Sequence, residues 1–171
     1  NPFPKATWGI SNTFRWKGFD LYFLIQGVSG LDVFNGDGYY TESKKFNRNY
    51  VKDRWISAEY PGDGRTPTVG SAGISWEFTD YMIEDGSFVA LRDVVLGYTF
   101  DKKKLKKAGL NSLRLYASGQ NLLYFWGKSY RGINPEARVT TGSYSSPLVN
   151  GYQRGGFPIQ STVNIGFELN F

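Results

Sequence analysis

The sequence predicts an all-β protein whose strands form part of an antiparallel barrel that crosses a membrane, and three observations predict it. Apolar residues recur at every second position over stretches of about ten residues, the repeat of a strand with two unlike faces. The connections between these stretches are alternately very short and very long. The composition is also divided: 18% of the 171 residues are aromatic, yet the mean hydropathy is −0.40. A strand with one face in lipid and the other in water produces that combination.

The first strand, residues 6–16, sets Trp8, Ile10, Phe14 and Trp16 on one face and Thr7, Gly9, Ser11, Thr13 and Arg15 on the other. Asn12 is the one polar residue in the apolar set. Lys17-Gly18 is a two-residue turn, and the second strand, residues 19–28, resumes the alternation with Phe19, Leu21, Phe23 and Ile25 opposite Asp20, Tyr22, Leu24 and Gln26. The third strand, residues 87–100, contains a conflict. Arg92 and Asp93 are adjacent, so one of them is expected to point the wrong way or to lie beyond the bilayer. The Lys-rich segment after it, Lys102-Lys103-Lys104-Leu105-Lys106-Lys107, predicts a turn of helix stopped at Gly109.

The fourth strand, residues 112–124, places Leu113, Leu115, Ala117 and Gly119 opposite Arg114, Tyr116, Ser118 and Gln120. The fifth, residues 159–171, alternates most cleanly: Val163, Ile165, Phe167, Leu169 and Phe171 against Thr162, Asn164, Gly166, Glu168 and Asn170. These five apolar residues, closing on an aromatic, are similar to the signal by which barrels are presented to the outer-membrane assembly machinery.

Residues 29–86 and 127–158 are read as long loops, far beyond ordinary connections, with one further short strand at Gly73–Thr79. All short connections then lie at one end of the sheet and all long ones at the other, as in outer-membrane barrels with short periplasmic turns and long extracellular loops. Five strands cannot close, and an open edge in hydrocarbon leaves backbone groups unpaired. The chain is therefore expected to be one piece of a larger barrel. With the last strand ending in the periplasm, Asn1 falls on the extracellular side.

Other classes are excluded by composition. With no His and no Cys there is no thiolate nucleophile, no imidazole base, no disulfide and no Cys/His zinc site. No catalytic residue, cofactor or metal is expected. The net charge of +5 is concentrated in the lysine run, which reads as a solvated turn rather than a nucleic-acid patch. No apolar run is long enough for a membrane helix, and the start of the chain has no secretory leader.

A series of short motifs carries a resemblance. Asn1-Pro2-Phe3-Pro4-Lys5, Lys17-Gly18-Phe19-Asp20-Leu21, Asp53-Arg54-Trp55, Ile83-Glu84-Asp85-Gly86-Ser87-Phe88, Leu96-Gly97-Tyr98-Thr99, Leu113-Arg114-Leu115-Tyr116, Gly119-Gln120-Asn121-Leu122 and Asn134-Pro135-Glu136 follow one another across the chain. Their order resembles the end of SusC/RagA-like TonB-dependent transporters. Asn134 stands where that family often has Asp. The resemblance implies the last five or so strands of a barrel of about 22, whose plug domain lies upstream of this chain. It also implies a Bacteroidota-like outer membrane, a SusD-like lipoprotein lid, drive by the TonB complex, and bulky nutrient cargo, oligosaccharide or peptide.

Within that frame the long loops supply the candidate contacts. Flat aromatics at Trp55, Tyr60, Trp76, Tyr81, Trp126, Tyr130 and Tyr152 can stack on sugar rings or pack on a lid, or they can fold the loops onto themselves or form an interfacial girdle. Arg54, Arg65, Arg131, Arg138 and Arg154 can hold carboxylates. The strongest candidates for ligand or lid contact are Trp55, Trp76, Tyr81, Tyr130, Arg54 and Arg131. Two carboxylate groups, Asp32 with Asp37 and Glu42, and Glu84 with Asp85, show no calcium-loop spacing and no defined catalytic separation. The alternatives are a siderophore or cobalamin receptor, or a soluble carbohydrate-binding sandwich. A sandwich would cover Val163, Ile165 and Phe167 with a second sheet.

Overall fold

The computed structural model describes residues 1–36, 53–68, 80–106, 109–137, 151–153 and 156–171. The chain divides into two compact units: one made of Asn1–Ala6, Ser29–Ser87 and Trp126–Pro158, the other of Thr7–Val28, Phe88–Phe125 and Ile159–Phe171. In chain order the elements are β1 (Ala6–Trp16), β2 (Phe19–Ser29), β3 (Asp32–Asn35), β4 (Ile83–Asp85), β5 (Phe88–Thr99), α1 (Lys102–Leu105), β6 (Ser112–Trp126), β7 (Tyr152–Gln153) and β8 (Thr162–Asn170). Among the described residues no helix is long and apolar enough to cross a membrane.

The long strands form one five-stranded sheet in the order β1-β2-β5-β6-β8, with β2 antiparallel to β5 and β6 antiparallel to β8. The β1–β2 turn has positive φ at both central residues, 46° at Lys17 and 89° at Gly18. That is the two-residue geometry whose twist matches a hairpin. Gly18 is required twice over, because a Cβ there would also lie 2.8 Å from the Thr99 carbonyl oxygen.

The conflict at Arg92 and Asp93 is resolved by the backbone. Leu24 pairs with Asp93 and Ile25 with Leu91, so Arg92 is an extra residue, a β-bulge. Before the bulge Val89 and Leu91 share the apolar face; after it Val94, Leu96 and Tyr98 do, opposite Phe23, Leu21 and Phe19. Both charges thereby serve the polar face. Asp93 lies opposite Leu24, and the Arg92 Nε and Nη1 groups donate to Gln26 Oε1 (2.8 Å) and Asn121 Oδ1 (3.1 Å). Its guanidinium is 5.5 Å from the rings of both Phe88 and Tyr124.

The apolar face is uncovered. Val163, Ile165 and Phe167 are 68%, 86% and 66% exposed, and no second sheet covers them within this unit among the described residues. Trp16, Phe14, Ile10 and Leu115 are likewise exposed. Such a contiguous apolar surface is what hydrocarbon, not water, solvates.

The polar face uses glycine to bring charges together. Asp20 on β2 and Arg114 on β6 are separated by β5, where Gly97 lies opposite Asp20. Arg114 reaches across it, donating from Nε and Nη2 to Asp20 Oδ1 (3.1 Å) and Oδ2 (2.6 Å) and from Nη1 to Glu168 Oε1 (2.9 Å). A Cβ on Gly97 would come within 2.6 Å of both Arg114 Nη2 and Asp20 Oδ1. Gly97→Val is therefore expected to separate the pair and to destabilise the folded protein by about 1–3 kcal/mol. The urea unfolding midpoint in detergent measures this, and an unchanged midpoint would contradict the bridge.

The segments read as long loops contain structure that alternation does not reveal. β3 pairs antiparallel with β4 (Val33 opposite Glu84) and parallel with β7 (Phe34 opposite Tyr152), giving a small sheet in the order β4-β3-β7. Strands of two to four residues are too short to display a period. The further strand expected at Gly73–Thr79 lies outside the described residues. α1 is capped by Asp101, whose side chain accepts from Lys103 N, and Gly109 takes φ +70°.

Candidate functional site

The core of the loop unit is polar as well as apolar. Val33 and Met82 are fully buried, and so are Asn35 and Glu84, each less than 5% exposed. Glu84 enters this core because β4 sets it opposite Val33, while its neighbour Asp85 faces outward. The carboxylate is satisfied on both oxygens. Oε2 accepts from Asn35 Nδ2 (2.9 Å) and the Arg131 backbone N–H (2.8 Å); Oε1 accepts from Arg131 Nε (2.7 Å). The rest of the Arg131 guanidinium donates to the Tyr81 hydroxyl (2.9 Å) and carbonyl (3.2 Å) and lies 4.6 Å from the Tyr81 ring centre. Burial pushes the Arg131 pKa down, but the Glu84 charge and hydrogen bonds outweigh it, so the group is held above its ordinary value and stays charged.

A second buried chain of bonds runs from the Tyr130 hydroxyl to Gln153 Oε1 (2.7 Å) and from Gln153 Nε2 to the Pro135 carbonyl (2.6 Å). Asn134 organises the turn that presents this carbonyl, accepting from Glu136 N at 2.9 Å and donating to Phe157 O at 3.0 Å. An Asp in its place would keep the first bond and lose the second.

Residues 53–68 form a compact loop closed by Trp55 N to Thr66 O (2.8 Å) and Asp63 N to Asp53 O (2.8 Å). Asp63 pins it, accepting from Arg65 N (2.8 Å), Thr66 N (2.6 Å) and the Thr66 hydroxyl (2.7 Å). Partial burial raises the Asp63 pKa, yet the bonds from Thr66 and Arg65 outweigh it and hold the carboxyl below its ordinary range. A carboxyl depressed on folding stabilises the folded form above its unfolded pKa of about 4, and that contribution is lost as pH falls through the folded value. Protection of the amides in residues 53–66, taken relative to their intrinsic exchange rates, is therefore expected to fall as the pH drops below about 4. Asp63→Asn should remove this pH dependence; exchange that responds to pH identically in both proteins would contradict the assignment.

Beside this loop is a cavity of about 380 Å³ lined by Asp53, Asp63, Arg65, Thr66, Glu84, Lys128, Ser129, Tyr130 and Arg131. Its wall carries three acids and three bases, which suits a polar or zwitterionic group better than an apolar one.

The strongest candidates from the sequence separate by location. Tyr81, Tyr130 and Arg131 are in the interior network just described, with Arg131 and Tyr130 also bordering the cavity. Trp55 is exposed and Arg54 half-buried at the start of the 53–68 loop, with Ile56 and Tyr60 exposed beside Trp55. Arg65 donates to the Asp80 and Tyr81 carbonyls, Tyr152 stacks on Phe34 at 5.6 Å, and Trp126 meets Tyr130 edge to face. Trp76, Asp37, Glu42, Arg138 and Arg154 lie outside the described residues. The central role of Glu84 carried no sequence signal beyond a carboxylate in a loop, because its partners Asn35 and Arg131 come from distant segments, whereas Asp63 bonds to its near neighbours Arg65 and Thr66.

Several residues in the recurring short motifs have structural duties. Gly18 makes the turn, Gly97 opens the space for Asp20 and Arg114, Glu84 anchors the loop core, and Asp85 Oδ1 accepts from Ser87 N at 2.9 Å. Tyr116 lies over Gly166, its cross-strand partner, filling the space a side chain would take.

No family profile matches the chain. It is similar to TonB-dependent receptor P3 of Formosa agariphila, 32% identical over 174 residues that cover all of this chain and 17% of the relative. TonB-dependent receptor SusC of Bacteroides thetaiotaomicron is 25% identical over 169 residues, 95% of this chain and 15% of that protein. Among solved structures, the RagAB peptide importer in its open-open state superposes with a TM-score of 0.70 at 22% identity, over 99% of this chain and 17% of that one. The chain thus spans about a sixth of the length of the relatives it matches, and at that identity the structural likeness shows the fold.

Proposed function

Since this chain belongs to the SusC/RagA-like TonB-dependent receptors, as a segment of their barrel, we propose that it supplies wall and outer-loop surface to a transporter importing bulky nutrients across the outer membrane. The observation that carries this reading is a sheet with one face bare and apolar and the other polar and ion-paired, in a chain similar along its whole length to such receptors. The whole protein would work with a SusD-like surface lipoprotein over its mouth and be driven by the TonB complex through a plug domain encoded elsewhere in it. With the last strand ending in the periplasm, the β1–β2 and β5–β6 connections face the periplasm, and the long connections leave the opposite ends of the strands. The segment itself carries no catalytic step.

Among the described candidate contacts, Trp55 and Arg54 are placed to meet cargo or lid, while Tyr81, Tyr130 and Arg131 hold the loop unit together. Oligopeptide and oligosaccharide remain the two cargo classes, and the mixed charge of the cavity favours peptide, whose ends and side chains carry both signs.

The full-length transporter, reconstituted with its lipoprotein in cells with and without a functional TonB complex, tests the reading. Uptake of labelled oligopeptides or oligosaccharides should depend on TonB, and Trp55→Ala should weaken cargo or lid binding without altering barrel assembly. Uptake that is equal without TonB would overturn the transport reading.

A further inference from the structure

We propose that the rim of the sheet carrying the two short connections is a docking surface for anionic phospholipid headgroups of the periplasmic leaflet. This rests on the membrane orientation given above. The two connections are neighbours: Thr99 N donates to the Gly18 carbonyl at 2.8 Å, the Phe19 and Tyr98 rings are 4.6 Å apart, and Tyr98 meets Phe100 at 4.9 Å. With Trp16, 67% exposed, these rings form an aromatic band at the end of the apolar face, where a bilayer passes from hydrocarbon to headgroups.

Cations stand immediately beyond the band. Lys17 lies with its ammonium 4.8 Å from the centre of the Trp16 ring, and Lys102, Lys103 and Lys106 are exposed on the second connection. The acid described there, Asp101, is engaged as the helix cap. On the polar face at the same level the balance is different, since Arg114 is matched by Asp20 and Glu168. Four exposed lysines against the acid Asp101 leave a net positive charge at the rim next to the aromatic band. A phosphate diester in the headgroup layer complements it in both charge and height. Lysines near an anionic surface each contribute about fivefold in affinity.

The test uses the full-length transporter in detergent, titrated with phosphatidylglycerol and with phosphatidylethanolamine, bound lipids being counted by native mass spectrometry. Wild type should retain phosphatidylglycerol preferentially. The triple change Lys17→Gln, Lys102→Gln, Lys103→Gln should weaken that retention at least tenfold and leave phosphatidylethanolamine unchanged, whereas the three corresponding Lys→Arg changes should preserve it. Equal phosphatidylglycerol affinity in wild type and the Gln variant, or loss in the Arg variant, overturns the inference. So does full displacement of the lipid by excess inorganic phosphate, which would mark a site for the free ion. A protein that retains neither lipid and remains monodisperse without detergent overturns the membrane reading instead.

Discussion

Glu84→Ala is expected to destabilise the loop unit by about 3–5 kcal/mol, the cost of leaving a buried charge without its partner. The side chain of Glu84 is 2% exposed and that of Arg131 18%, so water only partly compensates for the lost carboxylate. Asn35 Nδ2 and the Arg131 backbone N–H lose their acceptor in the same step. Removing both charges should cost less than removing one. Glu84→Met combined with Arg131→Leu abolishes the unpaired ion and fills comparable volume, so the double variant should be more stable than Arg131→Leu alone. Amide exchange across β3, β4 and residues 130–135 reads the effect locally, while the barrel strands serve as an internal reference. Exchange in Glu84→Ala that matches wild type would mean that the pair does not hold the unit.

Ile165→Arg should cost about 2–4 kcal/mol in a bilayer, while Asn164→Arg, one residue away, should cost almost nothing. Ile165 lies near the middle of β8 on the bare apolar face, opposite Ala117, and Asn164 lies on the polar face opposite Ser118. A guanidinium at Ile165 must be drawn into hydrocarbon or drag water after it; at Asn164 it joins a wetted wall. The comparison separates environments better than any single change, because an exposed site on a water-soluble sheet would tolerate both within about 0.5 kcal/mol. Urea titration of the transporter folded into phosphatidylcholine vesicles measures the difference. Equal effects at the two positions would place water on both faces.

The parts of the fold legible in the sequence are those governed by local repetition. Phe19, Leu21, Phe23 and Ile25, or Val163 through Leu169, declare an apolar face because a strand's side chains alternate wherever the strand lies. Lys17-Gly18 declares a turn because few residues accept positive φ. The bulge at Arg92 was hidden. Two adjacent charges break a period of two, and only pairing with β2 shows that the backbone absorbs the extra residue and restores the apolar face beyond it. The small sheet was hidden as well, since β3 and β7 are separated by more than a hundred residues and pair over two positions.

The candidate site divides in the same way. Aromatics and arginines in long loops could be named, but whether Tyr81 and Arg131 face outward or each other depends on where β4 and residue 131 meet, and nothing near either residue encodes it. Trp55 and Tyr81 are equally plausible contacts in sequence; one is exposed and the other buried.

By itself, then, the sequence determined an antiparallel wall with a lipid-ready face, its short and long ends, and the absence of the side chains needed for thiol or imidazole chemistry. These follow from composition and from periods of two residues. The tertiary structure alone decided which charges are spent on the fold and which remain available. Asp20, Arg114 and Glu168 meet across four strands over a glycine, and Glu84 and Arg131 meet 47 residues apart in sequence. Such contacts are set by the closure of distant segments around a shared interior, where a buried charge persists only with its partner in place.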